Sequence, residues 1–362
     1  MNRRWVCTDV WMDILPFFNR LQLGLKLALL SPCFDVLVDK HFDGKCELTI
    51  WRHINILKGA GPEPELSVRI DRKTMKFPLP DRPLPTKIRI KDLHIEYTDH
   101  SVITFLRANQ QIFDKGIDLD LYWDDALHDN NSDDVQQIWD VFAREIWPIF
   151  APNIRHLNFI FGYDLENLRR HISPTILSDL NINSIHSADL LPEMIADDGP
   201  NATAGQALSK WLHIPRKDGK PKQLSCCDES EPPSFEFITN FKEAFLNATT
   251  PSASYIIRLV STEIDPVELI PFELMNERTN EMLTFEKEYD HENMEDDENM
   301  EDEDASDDWL LKRCQIGETA TIQWVWDPND WQNVSLTLDS VRKNCIGQLS
   351  PPKADQMNAK IV

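Results

Sequence analysis

The densest grouping of chemically competent side chains is Asp92, His94, Asp99, His100 and Ser101. Carboxylates, imidazoles and a hydroxyl at this spacing could ligate a metal or assemble a Ser/His/Asp set, in which histidine takes the hydroxyl proton and a carboxylate orients the ring. No motif fixes their geometry, and a strand end running into a polar loop accounts for the same residues more simply. Asp124 and Asp125, at the end of an expected strand, offer a carboxylate pair for acid/base work, and a solvated turn is the plainer account. Glycine counts against phosphate chemistry. Only 11 of 362 residues are glycine, against a usual share of ~7%, and there is no G-x-G-x-x-G, P-loop or G-x-S-x-G sequence to cradle a phosphate or present a serine. The expectation is a chain that is not an enzyme, with no catalytic site, no metal and no cofactor.

Seven cysteines (Cys7, Cys33, Cys46, Cys226, Cys227, Cys314, Cys345) are scattered, odd in number and without a C-x-x-C pair, which predicts reduced thiols and a cytoplasmic or nuclear setting. Asp9 and Asp13 interrupt the apolar run a signal peptide needs. No stretch approaches the ~20 apolar residues of a membrane span. With 61 acidic against 37 basic residues the formal charge is -24, which disfavours nucleic acid and anionic membranes as partners. The densest basic stretches, Arg169-Arg170 and Arg216 to Lys222, read as solvated loops. Glu286 to Asp308 holds fourteen acidic residues and one lysine, and within it Glu292-Asn-Met-Glu-Asp296 is repeated as Glu298-Asn-Met-Glu-Asp302. Such a tract has too little apolar surface to offset its ordering entropy and is expected to be a disordered insert, residues 288–308.

The elements that must carry any function begin with three short helices. Thr8 is an expected N-cap, with Val10, Trp11, Ile14 and Leu15 at helical spacing until Pro16 ends or kinks the run. Asn19 with Gln22 can cap a second helix, lined by Leu23, Leu27 and Leu30. Leu21 to Leu29 also alternate as a strand would, but the cap and the good helix formers favour helix. Ser31-Pro32 opens a third, with Phe34, Leu37, Val38 and His41 on one face. Three leucine-rich helices in about forty residues cannot bury both faces alone, so they pack either on the rest of the chain or on a partner.

Thr8-Asp-Val-Trp-Met-Asp-Ile-Leu15, Leu23 with Leu27-Ala28, and Leu30-Ser31 with Phe34 and Leu37 resemble the F-box, a three-helix motif that binds the Skp adaptor of Skp-cullin-F-box ubiquitin ligases. The resemblance puts Val10, Ile14, Leu15, Leu23, Leu27, Leu30 and Phe34 on the family's apolar positions. Val6 and Cys7 stand where the family has a Leu-Pro pair, and Pro16 falls where its first helix continues. These nine apolar and leading positions are the expected adaptor-binding residues.

Beyond His41, β-prone runs alternate with helical intervals and proline-rich joints. Strands are expected over Cys46 to Leu57, Leu66 to Ile70, Ile88 to Tyr97, Ile117 to Trp123, Ile154 to Phe161, Leu177 to Ile185, Lys222 to Cys226 and Tyr255 to Val260. Helices are expected over Ser101 to Asp114, Asp133 to Phe150 and Leu165 to Ile172. Phe77 to Pro85 reads as an extended joint rather than a docking peptide. Leu93, Leu119, Leu157, Leu180 and Leu224 mark successive strands at uneven steps. Ile154-Arg-His-Leu-Asn-Phe159 and Leu177-Ser-Asp-Leu-Asn-Ile182 resemble leucine-rich-repeat strands, which implies an irregular strand-helix arc; a compact α/β body with the same alternation stands beside it. From Pro271 the chain turns strand-like, with Asn280 in a hairpin turn and strands at Trp309 to Cys314, Thr319 to Trp326 and Val334 to Leu338. Trp324, Trp326 and Trp331 are candidate target-binding residues, with core packing as the plainer account.

The predicted fold is thus a mixed α/β chain: F-box-like helices (5–42), a strand pair and proline-rich joint (43–86), an irregular α/β repeat-like region (87–265), a β-rich cap (266–347) carrying the acidic insert, and a disordered tail (348–362). The resemblance implies a substrate-recognition subunit whose partners are a Skp-type adaptor with its cullin ligase core and a protein target. The alternative is a leucine-rich-repeat-like scaffold with no ligase association.

Overall fold

A computed structural model describes residues 7–18, 23–43, 49–51, 54–59, 63–70, 73–80, 82–84, 88–96, 98–122, 136, 139–159, 161–227, 235–261, 270–288, 307–316 and 334–339. The fold is mixed α/β, and its contacts divide into two units: Met1–Ile117 with Tyr122–Asn153 and Asn329–Val362, and Asp118–Leu121 with Ile154–Pro328.

The first unit begins with the helical cluster. Helix α1 (Thr8–Ile14) starts one residue earlier than the expected cap allows, since Cys7 holds the extended N-cap position without a side-chain bond. Pro16 supplies no N–H, and the chain tightens into a 3-10 turn over Leu15–Phe17. Leu23–Leu27 and Ala28–Leu30 are helical, as a π turn followed by a 3-10 turn, rather than extended. The expected cap at Asn19 and Gln22 lies outside the described residues. Ser31 then caps α2 (Pro32–Asp43), its hydroxyl accepting the Phe34 N–H at 3.3 Å. Leu15, Leu23, Leu27, Ala28, Leu37 and Val38 form one buried cluster, with Trp11, Met12 and Phe34 packed against it. The Trp11 and Phe34 rings meet edge to face at 4.8 Å.

The expected strand over Cys46 to Leu57 is two strands, β1 (Thr49–Trp51) and β2 (Ile54–Lys58). Strands β3 (Pro64–Ile70) and β4 (Lys73–Pro78) complete an antiparallel meander on β2, and β5 (Ile88–Ile90) pairs in parallel with β1. β6 (Asp92–Ile95) pairs in parallel with β2, so the rows Val68–Ile54–Leu93 and Leu66–Ile56–Ile95 are buried across three strands. Each such side chain contributes about 1.5–3 kcal/mol of apolar burial. The proline-rich joint is internal: Leu84 is buried and its N–H donates to Asn109 Oδ1 at 2.7 Å, while Asn109 Nδ2 donates to the Phe105 carbonyl. Asp99 caps α3 (His100–Ala108), whose inner face is Val102, Ile103, Phe105 and Leu106. Ahead of α4 (Trp147–Phe150) lies a π turn, Phe142–Ile146. Pro148 explains it, because its ring displaces the carbonyl four residues back.

Strand β7 (Ile117–Tyr122) leads to the second unit. There β8 (Ile154–Phe159), β9 (Ser184–Ser187), β10 (Lys222–Cys227) and β11 (Tyr255–Ser261) lie side by side, parallel and in sequence order. The connections hold α5 (Gly162–His171), α6 (Ile176–Asp179), α7 (Ala204–Leu212) and α8 (Phe235–Asn247). The strand expected over Leu177 to Ile185 is corrected. Leu177 sits in α6, where Thr175 Oγ1 donates to Asp179 Oδ2 at 2.7 Å across the turn, and the strand starts only at Ser184. The next three strands are antiparallel: β12 (Phe272–Asn276) pairs with β13 (Glu281–Glu288), β13 with β14 (Asp307–Gln315), and β14 with β11. Asn280 takes φ 57° in the β12–β13 turn, a conformation asparagine tolerates better than most residues. β13 and β14 pair with Glu288 opposite Asp308, and the acidic residues between them, 289–306, lie outside the described ones. Leu157, Ile185, Leu224, Ile257, Leu311 and Phe285 form one buried row across six strands. Strand β15 (Val334–Asp339), expected in the C-terminal β-rich region, pairs in parallel with β6 of the first unit. No helix among the described residues is long and apolar enough to cross a membrane.

Asp164 in the first turn of α5 is buried, accepting the Phe161 N–H through Oδ2 while Oδ1 has no hydrogen-bond partner. Burial, reinforced by the nearby Asp189 carboxylate, pushes its pKa from 3.8 up to about 7. The folded chain therefore keeps this proton where the unfolded chain releases it, so the group's contribution to stability is lost as pH rises from about 4 to 7 and is constant above. Asp164→Asn keeps an acceptor for Phe161 but carries no charge. Its unfolding free energy is expected to match the wild type near pH 4 and to exceed it at pH 8, by at most about 4 kcal/mol; a difference independent of pH would refute the burial origin.

Candidate functional site

The candidate catalytic grouping of the sequence does not come together as a reacting set. Asp99 Oδ1 accepts the Ser101 and Val102 N–H groups at 2.9 Å and the Ser101 hydroxyl at 2.6 Å, which is the geometry of a helix cap. Asp92 and His94 lie on β6, with His94 Nδ1 4.0 Å from Glu96 Oε1. Asp124 and Asp125 lie outside the described residues, as do Val6, Trp324, Trp326 and Trp331. Among the described residues no three His, Cys, Asp or Glu side chains are grouped to hold a metal. Cys7, Cys33, Cys226 and Cys314 form no disulfide.

The expected adaptor-binding residues separate into two kinds. Leu15, Leu23 and Leu27 are buried in the helical cluster, and Ile14 and Phe34 are half-buried. Cys7 is exposed, as are Val10 (44%) and Leu30 (66%). Two residues beyond that set are as open, Phe17 at 89% and Val36 at 67%. Soluble surfaces carry single apolar residues routinely; this cluster carries four large ones, Val10, Phe17, Leu30 and Val36.

The second unit holds a site that the reading by motif passed over. In the row beside Leu224–Ile257–Leu311, Lys222 of β10 faces Tyr255 of β11, and Tyr255 faces Arg313 of β14. All three are buried. Lys222 Nζ donates to the Trp211 carbonyl at 2.5 Å and lies 4.7 Å from that indole ring, and burial lowers its pKa to about 7. Arg313 forms a two-pronged pair with Glu281, Nη2 to Oε2 at 2.7 Å and Nε to Oε1 at 3.2 Å. Its guanidinium sits 5.2 Å from the Phe245 ring, and Tyr255 is its partner in the strand register. Burial works against ionisation of Glu281, but hydrogen bonds from Arg313 and from the Ser252 N–H outweigh it and hold its pKa below the usual range. Burial raises the Tyr255 phenol.

Local sequence explains each placement. The β12–β13 turn is fixed by Asn276, whose Oδ1 accepts the Arg278 N–H while Nδ2 donates to the Phe245 and Ala248 carbonyls at the end of α8. That fastens α8 to the hairpin and delivers Glu281 to Arg313. Thr203 and Gln206 form a capping box at the start of α7, which carries His213 to its C-terminal end. There His213 Nδ1 meets the Ser209 carbonyl at 2.6 Å, and burial lowers the imidazole pKa. Above Tyr255 and Arg313 opens a cavity of about 320 Å³, walled by α7, α8 and the loop before β11.

Of the two stretches expected as solvated basic loops, Lys217 to Lys220 is an exposed turn, whereas Arg169 and Arg170 lie in α5 and two of the cations are buried. Lys222 is buried in this row, and Arg169 is buried as well, donating to the Pro174, Ala202 and Gly199 carbonyls. Both are held because a buried cation must find acceptors. A signal for the row was present: Lys222-x-Leu224-x-Cys226, Tyr255-x-Ile257-x-Leu259 and Trp309-x-Leu311-x-Arg313 put one polar residue in phase with each inward apolar face. Comparison of the chain with family models, curated proteins and solved structures finds no match.

The Arg313–Glu281 pair makes a quantitative expectation. Glu281→Gln leaves a buried guanidinium without its countercharge and is expected to cost about 3–5 kcal/mol, whereas replacing both partners with apolar residues, Glu281→Leu with Arg313→Met, costs less than either single change. Chemical denaturation of Glu281→Gln, of Glu281→Leu and Arg313→Met singly, and of the double checks the order; a double variant at the sum of the singles would show the two charges to be independent.

Proposed function

We propose that the chain is the substrate-recognition subunit of a Skp-cullin-F-box type ubiquitin ligase, docking a Skp-type adaptor through its N-terminal helices and a protein target through the remainder. The observation that carries the reading is the division of labour in the helical cluster. Leu15, Leu23, Leu27, Leu37 and Val38 form its own core, and yet Val10, Phe17, Leu30 and Val36 remain open to solvent. A cluster that has already satisfied its core has no internal use for four exposed large apolar residues, and a helical docking partner does. The sequential parallel order β8-β9-β10-β11 supports a repeat-like arc, in which each strand-helix step stacks on the last and offers a broad protein-binding surface.

Co-purification with a recombinant Skp-type adaptor tests the reading. Wild type is expected to bind, and Phe17→Asp, Leu30→Asp and Val36→Asp each to weaken binding by about tenfold or more without unfolding the chain. Leu23→Asp is a control of the opposite kind, since a charge in the cluster core disrupts the helices themselves. Loss of the exposed residues without loss of adaptor binding overturns the docking face. A wild-type chain that ignores the adaptor leaves the scaffold without ligase association as the better reading.

A further inference from the structure

The cavity over Tyr255 and Arg313 has the marks of a binding site rather than a packing gap. At about 320 Å³ it lies at the lower end of the range of ligand pockets, roughly 300–1,000 Å³, and suits one ring better than an extended ligand. Phe241, Ala244 and Phe245 of α8 give it an apolar wall. The polar groups that line it have particular needs. Ser252 Oγ is buried with no hydrogen-bond partner, although the Ser252 N–H is used by Glu281. The Ser209 carbonyl can only accept, so the proton of the His213 ring sits on Nδ1, and Nε2 of the neutral ring is an acceptor.

Charge points the same way. Arg313 is neutralised by Glu281, so the cavity does not call for an anion. Helices α7 and α8 both bring their C-terminal ends to it, at His213 and Ala248, and a helix C-terminus carries partial negative charge. Glu193 adds an exposed carboxylate among the lining residues. The matching ligand has an aromatic body, a hydrogen-bond donor at its tip and no negative charge.

We propose that this cavity receives a tyrosine or tryptophan side chain of the protein target, with the ring against the Phe241, Ala244 and Phe245 face and the phenol O–H or indole N–H donated to His213 Nε2 or to Ser252 Oγ. That the ring belongs to a ubiquitination target rests on the receptor reading above. The preference for a donor-tipped aromatic ring does not.

Ligand-observed NMR on the full chain without adaptor tests the site, using N-acetyl-tyrosinamide, N-acetyl-tryptophanamide and N-acetyl-phenylalaninamide. The first two are expected to bind, and the phenylalanine amide to bind about tenfold more weakly, because it leaves the buried acceptors unmet. Ala244→Trp fills the cavity and should abolish binding of all three. Ser252→Ala removes one buried acceptor from a half-exposed residue and should narrow the gap between tyrosine and phenylalanine amides, so the site remains testable if Ala244→Trp does not fold. Equal binding of the phenylalanine amide, no binding of any amide, or a gap unchanged in Ser252→Ala overturns the proposal. A chain that binds the tyrosine amide and ignores the Skp-type adaptor keeps the cavity and loses the receptor reading; a chain that binds the adaptor and no amide does the reverse.

Discussion

A buried charge has to be answered locally, and in the second unit the answer to Arg313 organises much of what surrounds it. Its guanidinium is nearly inaccessible and so is Glu281. Two charges so far from water are tolerated only when their geometry is good and their remaining hydrogen-bonding groups are met. Meeting them requires the β13–β14 register that sets Leu283 opposite Arg313, the tight turn at Asn280 that starts β13 with Glu281, and a loop before β11 that turns the Ser252 N–H onto the same carboxylate. Asn276 in the same turn holds the end of α8. The ion pair therefore ties three segments distant in sequence to one point, and the cavity is the space left above it. An apolar replacement can pack as firmly, but it does not dictate which residues meet.

The helical cluster of the first unit works by the opposite means. No charge is buried among Leu15, Leu23, Leu27, Leu37 and Val38, and the segments are short and irregular: a seven-residue α-helix, 3-10 turns, a π turn and one twelve-residue helix. Helices of that length are marginal alone and persist through tertiary packing. The core must do the holding, which leaves the outward residues free of structural duty. Phe17 follows Pro16 directly in a turn that cannot continue as α-helix, and the tightened turn leaves its ring in solvent.

Much of this was legible in the sequence, for reasons that differ by element. Ser31-Pro32 marked the start of α2 because cap and proline act locally, and the Ile154, Lys222 and Tyr255 strands were visible as alternating or continuous apolar runs. The strand at Leu177 was misjudged because apolar spacing in a six-residue window does not separate a helical turn from a strand. The decisive bond, Thr175 to Asp179, belongs to neither template. β4 was missed ahead of the proline-rich joint, since its pairing with β3 is what makes it a strand. α7 and α8 were missed although Thr203-x-x-Gln206 and the Ile238, Phe241, Phe245 spacing carried them. The site residues escaped for another reason. Motifs reward residues close in sequence, whereas Lys222, Tyr255 and Arg313 meet only through strand register. Among the apolar positions of the helices, pattern alone could not divide Leu23 from Leu30; both repeat at helical spacing, and only the fold of the chain turns one inward and the other out.

Charge and grip also come from different parts of the sequence. Residues 7–43, which carry the exposed apolar positions, hold five acidic and three basic side chains, while Glu286 to Asp308 supplies more than half of the net charge of -24. Apolar faces and enclosed pockets set how long a complex lasts, since contact and desolvation act at short range. A dense acidic run acts over a Debye length of about 8 Å in physiological salt, raising the encounter rate with basic surfaces and repelling acidic ones. If the chain is the receptor proposed above, it would select for basic partners on approach and for donor-tipped aromatic rings on contact. The two selections respond differently to salt, which weakens the first and leaves the second almost unchanged. In the proposed receptor, that separation would let a weak, single-ring contact discriminate, because long-range charge narrows the field before short-range contact selects.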